Sequence, residues 1–188
     1  IKKLKLFISK SRKPVLILGG GLRSNETRKE LNKLIKKINI PIVATWSGTD
    51  LIDHKDVKYI GNIGVYGNRL ANIAVQNSDL ILSLGSRLDT RVTGGKPNLF
   101  APNAKKIVVD IDKYELNKER GLKIDLKFNY NLKYFLKELN RHKLFLNNEI
   151  WLKKIKNLNS SFKFPESQNK KNKKVNPYTL VNYLSKLI

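Results

Sequence analysis

The chain has 188 residues, 40% of them hydrophobic, a formal net charge of +23, and neither cysteine nor methionine. That length suits one domain with a substantial core rather than two. The absent cysteines exclude disulfides and thiolate metal sites and give no sign of export, so a cytoplasmic location is expected. There is no apolar run near the ~18 residues of a membrane span, and "IKKLKLFISK" lacks the apolar core of a secretory signal. A natural chain starts with methionine, so a piece of a longer protein is expected. The charge invites a nucleic-acid reading. However, the lysines are spread over helices and tail ("KELNKLIKK", "QNKKNKK") without interleaved aromatics. They read as solvated faces before they read as a specific nucleic-acid surface.

In chain order, "KPVLILGGG" is an apolar strand ending in Gly19, Gly20 and Gly21. "SNETRKELNKLIKKINI" follows as a helix capped by Ser24, with Leu31, Leu34, Ile35 and Ile38 on one face. "PIVAT" is a second strand, and "WSGTDLIDHKDVKYIGNIGVYG" reads as a loop punctuated by glycine. "NRLANIAVQNSD" is a helix with Leu70, Ile73, Ala74 and Asn77 inward. "DLILSLG" and "KKIVVDID" are the third and fourth strands. "KYELNKE" is a short helix, "GLKIDLKF" a weaker fifth strand, and "NLKYFLKELNRH" a helix burying Leu132, Phe135, Leu136 and Leu139. "NNEIWLKKIKNLNSSF" adds a helix with an Ile150, Trp151, Ile155, Leu158 stripe.

Continuously apolar strands alternating with amphipathic helices predict an α/β fold, a Rossmann-like doubly wound parallel sheet. The domain is expected over residues 1–162. Residues 163–176 have linker composition, and 177–188 start a helix without core partners. Ligands of such a sheet collect beyond the carboxyl ends of its strands.

Three groups lie at that edge. Gly20 and Gly21 expose backbone before a helix N-terminus, which suits a phosphate, though a triple glycine serves a tight turn equally well. In "LGSRLDTRVTGG", Arg87 and Arg91 offer forked donors to a diphosphate, with Thr93, Gly94 and Gly95 beside them. The alternative is an internal ion pair with Asp89. Asp110 and Asp112 end a strand and suit a ribose or an adenine amine better than a metal, since no histidine is near. His54 and His142 read as surface residues. No catalytic triad or metal set can be assembled.

"GNIGVYGNRLANIAVQNSDLILSLGSRLDTRVTGG" followed by "FAPNAKKIVVDIDKYELNK" resembles the central domain of thiamine diphosphate-dependent enzymes of the acetolactate synthase type. The resemblance runs from about Pro14 to Leu139, with "VLILGGG" and "PIVAT" in place, and the tail "VNPYTLVNYLSKLI" resembles the entry into the carboxyl-terminal domain. It implies a homo-oligomeric enzyme in which thiamine diphosphate and magnesium sit on other domains, outside this chain. In this domain it implies FAD, or ADP, or a lost nucleotide, with FAD mostly structural rather than redox-active. Gly20, Gly21, Gly67, Arg87, Asp89, Arg91, Asp110 and Asp112 would line that site. The chain departs from the pattern at Tyr66 (histidine in "G-x-x-G-x-H-G"), at Lys113 (proline in "DIDP") and at Tyr130-Asn131 ("GD"). The implied whole enzyme decarboxylates or joins 2-oxo acids, and this piece alone is expected to be inactive. A stand-alone nucleotide-binding or regulatory module is the alternative.

Overall fold

The computed structural model describes residues 2–142, 146–158, 175–185 and 187. Six parallel strands form one sheet: β1 (Pro14–Leu18), β2 (Ile42–Ala44), β3 (Tyr59–Asn62), β4 (Leu80–Leu84), β5 (Lys105–Asp110) and β6 (Leu126–Asn129). Their order is β3-β2-β1-β4-β5-β6, with β1 paired to both β2 and β4. The chain therefore winds outward in opposite directions from β1 and β4. This is the doubly wound topology expected from the sequence, with its switch point between those two strands.

Alternation along each strand feeds two cores. Leu16, Leu18, Leu82 and Val109 face α1 (Lys2–Lys10), α2 (Asn25–Lys37) and α6 (Leu132–Arg141). Val15, Ile17, Ile81 and Val108 face α3 (Arg69–Gln76), α5 (Lys113–Asn117) and α7 (Glu149–Asn157). A four-residue α4 (Thr90–Thr93) follows β4, and α8 (Pro177–Leu184) presents exposed Tyr178, Val181 and Tyr183. Of the linker expected over 163–176, residues up to 174 lie outside the described residues.

The amino-terminal segment forms α1, with Leu4 and Ile8, one turn apart, both buried. Three expectations need correction. The loop after β2 contains a sixth strand, β3. On α3 the buried residues are Ala71, Ala74 and Val75, while Asn77 is an exposed C-cap. On α7 they are Trp151, Leu152 and Ile155, and Ile150 is 83% exposed. Asn148 fixes α7 by accepting the Trp151 N–H at 2.9 Å and donating to the Arg12 carbonyl at 2.7 Å.

At the sheet's amino-terminal edge, buried Lys106 donates to the Ala101 and Ala104 carbonyls at 2.7 and 3.1 Å. Burial lowers its pKa from the usual lysine value, despite the nearby Asp125 carboxylate. Asp125 accepts from the Lys106 N–H at 3.0 Å and the Lys105 ammonium at 2.9 Å. Burial alone would raise the Asp125 pKa, but these two donors outweigh it and hold it below the usual 3.8. A folded-state pKa below the unfolded one stabilises the protein above the unfolded value. That stability is lost as pH falls through the folded value. At pH 7 the chain should exceed Asp125→Asn by about 1–2 kcal/mol. Urea titrations should show the gap closing as pH falls below about 4. A gap that persists at pH 2.5 would rule out the ion as its source.

Candidate functional site

The site is built where β1 and β4 end side by side. The Gly19 N–H donates to the Leu84 carbonyl at 2.9 Å, and the Gly21 N–H to the Gly85 carbonyl at 3.1 Å. Gly21 and Gly85 approach so closely that a Cβ on Gly85 would sit 2.9 Å from the Gly21 Cα. Gly85 also has φ +64°, a conformation glycine adopts freely. The two turns thus pack backbone against backbone, and the switch point becomes a shallow open crevice.

Most of the amides expected to cradle a phosphate are consumed by this packing. Leu22 and Arg23 donate to the Gly19 and Gly20 carbonyls, each at 3.2 Å. With Gly19 and Gly21 also bonded, Gly20 is the one amide from 19 to 23 without a backbone acceptor among the described residues. Helix α2 starts only at Asn25, beyond a short 3-10 turn, and Ser24 caps it by accepting the Thr27 N–H. Its N-terminus is therefore displaced from the glycines.

The stretch after β4 turns on Leu88, which has φ +50° although it is not glycine. Such a backbone costs about 1–2 kcal/mol. Its side chain is 1% exposed and sits in the second core, so burial holds the turn. Arg87 and Asp89 on either side are left exposed. Asp89 is the N-cap of α4, accepting the Arg91 and Val92 N–H groups at 3.0 and 3.3 Å. It is not the ion partner of either arginine. Among the described residues, neither the Arg87 nor the Arg91 guanidinium has an acidic partner within salt-bridge distance.

The two arginines open on neighbouring cavities. Arg87 lines one of about 370 Å³ with Gly20, Gly21, Gly85, Ser86 and Ser47. Arg91 lines one of about 160 Å³ with Trp46, Tyr66 and Ile63. Thr45, Ser47, Asp89 and Val92 border both. Tyr66, the residue at the histidine position of the motif, stacks on Trp46 with centroids 5.7 Å apart. The boundary between the cavities is formed by Asp89 and Val92 with Thr45 and Ser47, the latter in the 3-10 turn Trp46–Leu51. Asp50 latches that turn to Arg23, just ahead of α2, at 2.9 Å, and to Arg28 on α2. The Arg23 hydrogen bond holds the Asp50 carboxyl below the ordinary carboxylate value.

The other expected residues lie near this edge but line neither cavity. Gly67 closes the 64–67 turn, donating to the Gly64 carbonyl at 2.9 Å, and a Cβ there would meet the Asn62 carbonyl at 2.5 Å. Asp110 ends β5 and accepts the Asp112 N–H at 3.0 Å. Asp112 caps α5, accepting from Tyr114 and Glu115. Asn131 similarly caps α6 through the Lys133 N–H at 2.9 Å. Thr45, Trp46, Ser47 and Ser86 were not singled out from sequence. The signal for the first three was their position directly after a strand next to β1. Among the described residues no cluster of metal-ligating side chains occurs, and no helix is long and apolar enough to cross a membrane.

Comparison with known proteins places this architecture. Residues 1–139 match the family model described as thiamine pyrophosphate enzyme, central domain. An acetolactate synthase large subunit of Cyanidium caldarium is 39% identical over 120 residues, 64% of this chain and 20% of that protein. The acetolactate synthase isozyme 2 large subunit of Escherichia coli is 34% identical over 131 residues, 70% of this chain and 24% of the relative. A probable acetolactate synthase large subunit of Methanococcus aeolicus is 34% identical over 139 residues, 74% and 23%. The chain thus spans a quarter or less of the length of these relatives. A six-stranded sheet in this order and a family match over most of the chain agree: the chain belongs to the thiamine pyrophosphate enzyme central-domain family.

Proposed function

We propose that this chain is the nucleotide-binding-type central unit of a thiamine diphosphate-dependent enzyme of the acetolactate synthase type. The observation that carries the reading is the cavity between Gly20–Gly21 and Gly85–Arg87, at the switch point, with an arginine that has no acidic partner within salt-bridge distance among the described residues. These residues fit a diphosphate. Arg87 supplies a forked charged donor, Ser47 and Ser86 supply hydroxyls, and the glycines admit close approach. The ligand class that follows is FAD or ADP, with Asp110, Asp112 and Asn131 one or two strands away on the side where an adenosine would extend.

Bound thiamine diphosphate, with magnesium, would supply the carbanion chemistry that decarboxylates or joins 2-oxo acids, from domains outside this chain. The role of this chain is to bind and orient: it holds the nucleotide. Residues 1–162 form that unit, 163–176 link it, and α8 begins the next domain. The whole enzyme is a cytoplasmic homo-oligomer. No residue of this chain is assigned a catalytic role.

Two measurements test the reading together. Calorimetry with ADP and FAD should show one saturable site at the Arg87 cavity. The chain supplied with thiamine diphosphate, magnesium and pyruvate should release no carbon dioxide. Turnover by the chain alone would overturn the assignment of catalysis to other domains, and failure of both nucleotides to bind would overturn the nucleotide site.

A further inference from the structure

A second concave site lies between α1, β6 and α6, and it shares no lining residue with the two edge cavities. Its volume of about 520 Å³ falls in the range of small-molecule sites, roughly 300–1,000 Å³. The floor is buried and apolar: Leu4, Phe135 and Leu139 are each at most 5% exposed. The walls are aromatic. Phe128 lies 5.2 Å from Phe135, ring centre to ring centre, and Tyr130 and Tyr134 are each 54% exposed. Tyrosines left half-exposed over an apolar floor offer flat contact surface to a ring or an aliphatic body.

The rim is basic, and its single acid is already engaged. Lys5 Nζ lies 3.3 Å from His142 Nδ1, and His142 Nε2 lies 3.1 Å from Glu138. Arg141 donates to the other Glu138 oxygen at 3.3 Å. Glu138 is thus shared by Arg141 and His142. Lys137, on the same helix and lining the same cavity, has no acidic partner among the described residues within salt-bridge distance. An apolar, aromatic-walled cavity with an ammonium at its rim that no carboxylate meets within salt-bridge distance among the described residues, Glu30 acting on it only from farther off, selects a body of ring size and one negative head group. We infer that this cavity binds a small aromatic carboxylate, its ring against Phe128, Tyr130 and Tyr134 and its carboxylate toward Lys137.

The chain is strongly basic throughout, so the test must separate local from overall charge. Naphthalene-2-carboxylate and its neutral carboxamide would be titrated into the chain and followed by calorimetry. The carboxylate should saturate one site and bind at least tenfold tighter than the amide. Lys137→Gln should erase that preference. Lys154→Gln on α7, over the opposite core, removes the same charge and should keep it. Tyr134→Ala should weaken both ligands about fivefold. Thermal unfolding of each variant would confirm the fold. Equal loss of preference in the two charge variants would reduce the effect to overall charge. Affinity unmoved by Tyr134→Ala, or absence of saturable binding, would likewise overturn the site.

Discussion

Replacing Gly19 with alanine is expected to lower stability by about 3 kcal/mol or more, at the upper end of overpacking effects. The backbone at Gly19 has φ −110° and ψ 168°, which alanine adopts without strain. The damage is therefore steric. A Cβ there would lie 2.2 Å from the Gly85 oxygen, 2.5 Å from its carbonyl carbon and 2.6 Å from the Ser86 nitrogen. All three are main-chain atoms, tied in place because Gly85 also donates to the Val109 carbonyl at 2.9 Å. No rotamer change can relieve such a clash, so β1 and β4 would have to part at their carboxyl ends. For a chain of this size the midpoint of thermal unfolding should fall by roughly 6–12 °C. Gly94→Ala is the comparison. Its φ is +80°, but no atom lies within 4 Å of its Cβ position. That change should lower stability by about 1–3 kcal/mol, through backbone strain alone. Calorimetric unfolding of both variants checks the pair. Equal effects would mean that backbone freedom, rather than the approach of two strand ends, explains the glycines.

This contact also explains what was legible in the sequence. Runs such as "DLILSLG" announced buried parallel strands because every residue, on either face, meets a core. Helices α2 and α6 announced themselves by full apolar stripes. β3 was hidden because it is four residues long and contains Gly61 at φ +126°. α3 buries alanines rather than its larger Leu70 and Ile73, so a stripe drawn by size pointed the wrong way. At the site, glycine after β1 was readable as a place of close approach. The approaching group, though, is first another strand end, a pairing no local pattern contains. Asp89 between two arginines suggested an ion pair, yet the two amides beyond it lie nearer and claim its carboxylate. Leu88 in a left-handed conformation has no sequence signature at all. It separates the two guanidinium groups into adjoining cavities.

That separation gives the largest functional effect. Arg87→Gln should weaken ADP or FAD binding by about 10- to 150-fold, the range for losing a charged hydrogen-bonding partner, 1.5–3 kcal/mol. Arg91→Gln should change it by no more than about threefold, because its cavity is bounded by Trp46 and Tyr66 instead of the glycine turns. Both arginine side chains are exposed, and neither has an acidic partner among the described residues. Unfolding midpoints should therefore stay within a degree or two, so any lost affinity reports on the ligand. Arg87→Lys restores the charge without the planar fork and should recover only part of the affinity, whereas full recovery would mean that a point charge suffices. Calorimetric titration of the three variants decides the matter. Equal losses at Arg87 and Arg91 would mean that both guanidinium groups swing onto one diphosphate, and that the boundary formed by Asp89 and Val92 gives way when the nucleotide enters.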